Sequence, residues 1–197
     1  AADDKSYLGL ELSDLTAALI GIDGLTLAVF DAGVKVNQAK DGDTNPANDP
    51  AKLGWADLFD DNLGLEPASV PAVDGVDIEV QGSLLLDAFG VVLVRGSFKL
   101  QLGAVIGLGS DDAVGGTGLA ADTTYQAMVL TLGVDAFTGA LPVEVFIGVG
   151  GELQDNPDGV ALGEDPTPLN FSDDEINLDS GIGFYASLDR LSLITLK

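Results

Sequence analysis

Oxygen-bearing side chains recur at alternate positions in Asp41-Gly42-Asp43-Thr44-Asn45, followed by Asn48 and Asp49. Ca²⁺ is a hard cation that gathers carboxylate, amide and carbonyl oxygens in a flexible shell. Alternate spacing lets Asp41, Asp43 and Asn45 fold around one cation, with Asp49 a further candidate ligand. The run begins like an EF-hand loop. It departs where that loop needs glycine, at Pro46, and where it needs a bidentate glutamate, at Lys52. The expectation is a looser calcium loop, set against the alternative of a solvated polar turn. Asp155-Asn156-Pro157-Asp158-Gly159 nominates Asp155 and Asp158 in the same way, although turn chemistry alone accounts for it. Asp173-Asp174-Glu175, with Asn177 and Asp179, packs four acids into seven residues. Such a cluster either binds a cation or is solvated, so Asp173, Asp174 and Asp179 join the candidate ligands. Ca²⁺ is the expected cofactor.

Catalytic chemistry finds little support. The chain has no His and no Cys, which removes Ser-His-Asp and Cys-His nucleophilic systems, thiolate zinc sites and disulfides. A glycosidase needs two carboxylates flanking a cleft, usually beside aromatic sugar platforms, yet aromatics make up only 6% of the residues with a single Trp. Trp55 reads as a core plug. Gly115-Gly116-Thr117-Gly118 is not followed by Lys and sits among acids that repel phosphate, so it is not a phosphate loop. The chain is expected not to be an enzyme.

The acidity itself is informative. Against 32 Asp and Glu stand 8 Lys and Arg, for a net charge of −24. Of the acids, 25 are Asp and 7 are Glu, which places the charge in turns and loops rather than on helix faces. Apolar residues still reach 46%, so the chain has the means to fold and is not an acidic disordered tail. Without basic clusters it is not expected to bind nucleic acid or anionic lipid. No run of apolar residues is long enough for a helical membrane span, so no membrane insertion is expected.

Period-two alternation positions these loops. Leu8, Leu10 and Leu12 alternate, as do Leu25, Leu27 and Val29; Val76, Ile78 and Val80; and Phe98, Leu100 and Leu102. The pattern returns at Ile182, Phe184, Ala186 and Leu188 and again at Leu191, Leu193 and Thr195. Half-buried strands read this way, and 26 glycines punctuate them. The fold class is all-β: a sandwich, barrel or solenoid-like sheet of short antiparallel strands with long acidic loops. Residues 75–86 and 91–102 read as a hairpin turning at Asp87-Ala88-Phe89-Gly90. Residues 24–30 and 34–37 read as a second, turning at Asp31-Ala32-Gly33. Short helical turns are expected only over 13–20 and 57–63. The long loops are 39–52, 110–123 and 154–179, and no composition break divides the chain, which is read as one domain over 1–197.

Several phrases resemble β-rich repeat modules of giant secreted or surface-attached bacterial proteins of the adhesin and RTX-associated type. They are Gly24-Leu25-Thr26-Leu27, Val34-Lys35-Val36-Asn37, Ser83-Leu84-Leu85-Leu86-Asp87-Ala88-Phe89-Gly90 with Val94-Arg95-Gly96-Ser97-Phe98, and Phe146-Ile147-Gly148-Val149-Gly150. The Gly-Gly-x-Gly-x-Asp repeat of the RTX calcium roll is absent, which argues against that architecture. The resemblance implies a β-rich extracellular or cell-surface module, often tandem and often calcium-stiffened, and it carries no functional residues across. The segments 6–20 and 183–197 are apolar and strand-like, which suits terminal strands that pair with another copy or an adjacent module. The function expected from sequence is a non-enzymatic structural module: one repeat of a giant surface protein, or a subunit of a self-assembling filament or layer. The alternative is a calcium-dependent carbohydrate- or surface-binding adhesion domain.

Overall fold

A computed structural model describes residues 4–19, 21–42, 49–55, 76–106, 124–155, 160–161, 171–172 and 174–197. These residues form eleven strands: β1 (Ser6–Leu19), β2 (Leu25–Lys40), β3 (Val76–Ala88), β4 (Val92–Ile106), β5 (Thr124–Gly133), β6 (Val143–Val149), β7 (Glu152–Asp155), β8 (Val160–Ala161), β9 (Glu175–Asn177), β10 (Ile182–Leu188) and β11 (Arg190–Leu196). The expected all-β class is what folds. The segment 13–20, where a helical turn was expected, continues β1 as strand through Leu19; the other expected turn, at 57–63, lies outside the described residues.

Eight strands make one antiparallel sheet. β1, β2, β3 and β4 follow one another as a meander. β4 then forks: Val92–Arg95 pair with β6, and Phe98–Ile106 pair with β5. β5 and β6 lie end to end along β4. On their outer side β10 and β11 lie end to end in turn, Ile182 opposite Val149 and Leu191 opposite Leu132. The eight strands are thus six rungs wide, with β1 at one edge and β10–β11 at the other. The fork depends on two glycines. A Cβ on Gly96 would come within 2.8 Å of Val143 Cα, and one on Gly133 within 2.0 Å of the Asp189 carbonyl, with φ at +89°. Ser97, beside the fork, bonds Ser83 Oγ at 2.7 Å and accepts from the Leu141 N–H at 2.7 Å.

The strands are longer than glycine punctuation suggests, 14, 16, 13 and 15 residues for β1 to β4. The hairpin expected between 75–86 and 91–102 forms, with Ala88 opposite Val92. Phe89 and Gly90 both take positive φ, whose twist suits a tight hairpin, and Asp87 Oδ1 accepts from the Gly90 N–H at 2.7 Å. The second expected hairpin does not form. Asp31-Ala32-Gly33 is a β-bulge inside the continuous strand β2, with Asp31 at φ 49° and a register shift between Phe30 and Gly33. Asp tolerates the left-handed conformation, so a bulge and a turn draw on the same residues.

The two faces of the sheet differ sharply. On one, cross-strand pairing lines up Leu12, Val34, Val80, Leu100, Leu130 and Leu193 across all six rungs. The next row is Leu10, Val36, Ile78, Leu102, Met128 and Thr195. Toward the other strand ends the same face carries Leu19, Leu27, Leu86, Val94, Val145 and Ala186. None of these side chains is buried. On the opposite face a small core gathers Ala28, Phe30, Leu85, Leu93, Phe146, Leu153 and Phe171. It is roofed by the segment that contains the three-stranded sheet β8-β7-β9, with Ile176 and Leu178 packed against it.

Candidate functional surfaces

Beyond the core, the roofed face is polar across the middle of β1 to β4. Glu11, Lys35, Glu79 and Gln101 stand opposite one another on successive strands. Lys35 Nζ lies 3.4 Å from Glu11, and Lys99 Nζ lies 3.7 Å from Glu79, which also accepts from Gln101 Nε2 at 2.7 Å. Alternating charge on directly opposed positions is how a sheet holds ions without repulsion. Further along, Glu144 accepts from the Tyr185 hydroxyl at 2.5 Å and faces Arg95 Nη1 at 3.8 Å. The hydrogen bond to Glu144 holds the Tyr185 hydroxyl above its ordinary value, with desolvation and the carboxylate charge acting in the same direction. Arg95 is 9% exposed and reaches the roof, donating from Nη2 to the Ser172 carbonyl at 3.4 Å.

Trp55 plugs the other end of this face. Its indole covers Gly9, where a Cβ would stand 2.6 Å from the ring, and its Nε1 donates to Asn37 Oδ1 at 3.1 Å. Asn37, 1% exposed, donates in turn to the Leu53 carbonyl at 3.2 Å. The ring is turned to the sheet.

The candidate calcium ligands fall partly within the described residues. Asp43, Asn45, Asp158 and Asp173 lie outside the described residues. Asp41 and Asp49 do meet: Asp49 Oδ1 accepts the Asp41 N–H at 3.2 Å, and Asp49 Oδ2 takes the Lys40 ammonium at 2.5 Å. That bond lifts the Lys40 amine above its ordinary value against the opposing pull of desolvation. Asp49 is therefore held against the end of β2. Asp155 lies on β7, Asp174 is 2% exposed just before β9, and Asp179 is exposed in the following turn, where its N–H donates to Asn177 Oδ1 at 2.8 Å. Among the described residues no three acids gather as a metal-binding group.

Sequence reading singled out the terminal segments as strands for pairing with another copy or module; what it missed is the apolar face that the described residues leave uncovered across all six rungs. Lys197 and Gln126 exchange both backbone hydrogen bonds at 2.9 Å. By the alternation of an antiparallel ladder, the N–H and C=O of Ser192, Ile194 and Leu196 point away from β5. Ile194 is 65% and Leu193 48% exposed. At the far edge β1 exposes Leu8, Leu10 and Leu12. β1 and β11 do not pair with one another, so the sheet does not close through them. The segment 191–196 is apolar on both sides, Ile194 and Leu196 alternating with Leu191 and Leu193. No family model, no curated protein and no solved structure matches the chain.

Proposed function

We propose that this chain is a non-enzymatic structural module that extends a β-sheet from copy to copy, β10–β11 of one pairing with β1 of the next. The observation that carries the reading is the correspondence of the two edges. Each is about one long strand, residues 182–196 against residues 6–19. The six rungs alternate in direction, so the next β1 meets β10–β11 antiparallel, as every neighbouring pair in the sheet already does. Both edges also reverse their side-chain alternation once, near the middle. In β1 the apolar face is carried by Leu8, Leu10 and Leu12 and then by Ala17 and Leu19; in β10–β11 it is carried by Phe184, Ala186 and Leu188 and then by Leu191 and Leu193. Setting the break at Asp189-Arg190 opposite the one at Ser13-Asp14 puts Leu12 against Leu191, Leu10 against Leu193 and Leu19 against Phe184. The apolar face then runs unbroken through the joint. A one-residue slip would turn one edge inside out, so the matched breaks set register as well as affinity.

The resemblance to surface-protein repeats supports an extracellular or cell-surface setting for such a module. The excess of 32 acids over 8 bases supports Ca²⁺ as the ion that relieves its repulsion. The edge reading is tested with Ile194→Pro. Proline removes one outward N–H and leaves the bonds to β5 in place, as edge strands tolerate. The intact chain should form elongated oligomers by light scattering and electron microscopy, and Ile194→Pro should shorten them while leaving the circular dichroism unchanged. Identical size distributions for the two proteins would end the proposal.

A further inference from the structure

The apolar face remains uncovered by any described element even when the edges are joined. We infer that its occupant is the same face of a second copy, so that two sheets pack face to face with their roofed faces outward. The extent of the surface fits. Six rungs spaced about 4.8 Å apart, each apolar over about ten residues of about 3.3 Å, span on the order of 900 Å². A standard stable interface needs about 800 Å² per partner. Its chemistry fits as well. The central rows hold Leu, Val, Ile and Met, with Thr195 at the edge and no ionisable group, so the face can be pressed against itself in a two-fold pairing without burying a charge. Stacked sheets interdigitate their side chains at about 10 Å separation, and this face offers a recess for the purpose: Gly96 floors a shallow apolar groove walled by Leu84, Phe98, Leu130, Leu132 and Val143.

A lipid surface fits less well. Proteins that sit against bilayers place Trp and Tyr where the apolar surface meets water and Lys or Arg where headgroups lie. Here Trp55, Tyr7, Tyr125 and Tyr185 all belong to the opposite, polar face, as their cross-strand partners and the Gly9 contact place them. The net charge of −24 opposes anionic headgroups.

Face pairing does not depend on edge joining, and both together would build a two-layered ribbon. The test is therefore made in the edge-blocked Ile194→Pro chain, where the two readings come apart. Sedimentation of that protein should give twice the chain mass. Leu100→Glu in the same background should give the chain mass with the circular dichroism retained. Because the natural chain has no Cys, Leu100→Cys at the centre of the face should form a disulfide-linked dimer under mild oxidation, and Gln101→Cys on the opposite face should not. This pair decides the matter should Leu100→Glu fail to fold. An edge-blocked chain that stays monomeric at every concentration overturns the inference. So does a dimer insensitive to Leu100→Glu, or equal cross-linking at positions 100 and 101. Flotation of an otherwise monomeric chain with phosphatidylcholine vesicles overturns it in favour of lipid.

Discussion

Two adjacent residues on β6 measure the difference between the faces. Phe146 is 2% exposed in the small core, and Ile147 is 51% exposed on the apolar face. The Phe146 ring lies so close to glycine backbone that a Cβ on Gly148 or Gly151 would stand 2.6 Å from it. Glycines have no side chain to swing into the space that Phe146→Ala would open, so collapse is poor and the cavity term is retained in full. Large-to-small changes of this kind cost about 3–5 kcal/mol, and the upper half of that range is expected here. A loss of about 4 kcal/mol is a large part of the roughly 5–15 kcal/mol a folded domain of ordinary stability has, and the roof residues Leu153, Phe171, Ile176 and Leu178 should loosen first. Ile147→Ala opens no cavity in a single chain and should cost under about 1 kcal/mol. Urea denaturation of the Ile194→Pro background, diluted until it sediments as a monomer, gives both values. Equal losses at 146 and 147 would refute the reasoning, because Ile147 would then be covered within its own chain.

Alkaline titration follows from Glu144. Tyr185 is raised by its hydrogen bond to that carboxylate and Lys40 by its bond to Asp49. Both folded values lie above the unfolded ones, so their stabilisation is complete below about pH 10 and is lost as pH climbs through the raised values. Ultraviolet difference absorbance should show Tyr185 ionising late, and Glu144→Gln should move that ionisation to lower pH. Gly133→Ala should cost at least about 2 kcal/mol in urea denaturation through a left-handed φ and a clash with the Asp189 carbonyl. Ser97→Ala should cost about 1–3 kcal/mol, since it strands the Leu141 N–H beside the fork. On the calcium proposal, melting in Ca²⁺ should exceed melting in EDTA by more than equimolar Mg²⁺ provides; an equal rise in both would reduce the effect to screening.

Much of the sheet was legible in the chain because period-two alternation is local. Ile78, Val80, Phe98, Leu100 and Leu102 fall on one face, as their spacing requires. The errors came where local chemistry is shared by two outcomes. Asp31-Ala32-Gly33 makes a bulge or a turn with equal ease, and only pairing with β3 decides. At Asp189 the alternation changes phase, and β10 and β11 continue one rung because β5 and β6 are interrupted opposite them. The face that is left open cannot be read from alternation, which says that two faces differ but not which is roofed. Polar side chains at Glu79, Gln81, Lys99 and Gln101 suggest a wet face, whereas the roof and Trp55 close over that side. Of the acidic candidates, Asp41 and Asp49 are brought together at the end of β2, through the Asp41 N–H and beside Lys40, a meeting that spacing alone does not specify.

Joining of β11 to β1 is the central claim, and disulfide trapping measures it most directly. A chain carrying both Leu10→Cys and Leu193→Cys places one thiol on each edge of the same apolar face, opposite one another across the proposed joint. Directly opposed strand positions hold their Cβ atoms about 4.5–5.5 Å apart, close enough for a disulfide to form with small adjustment. Mild oxidation should give a ladder of covalent oligomers on a non-reducing gel, collapsing to one band on reduction, while either single variant stops at a dimer. A double variant that yields no species beyond the dimer would contradict the account.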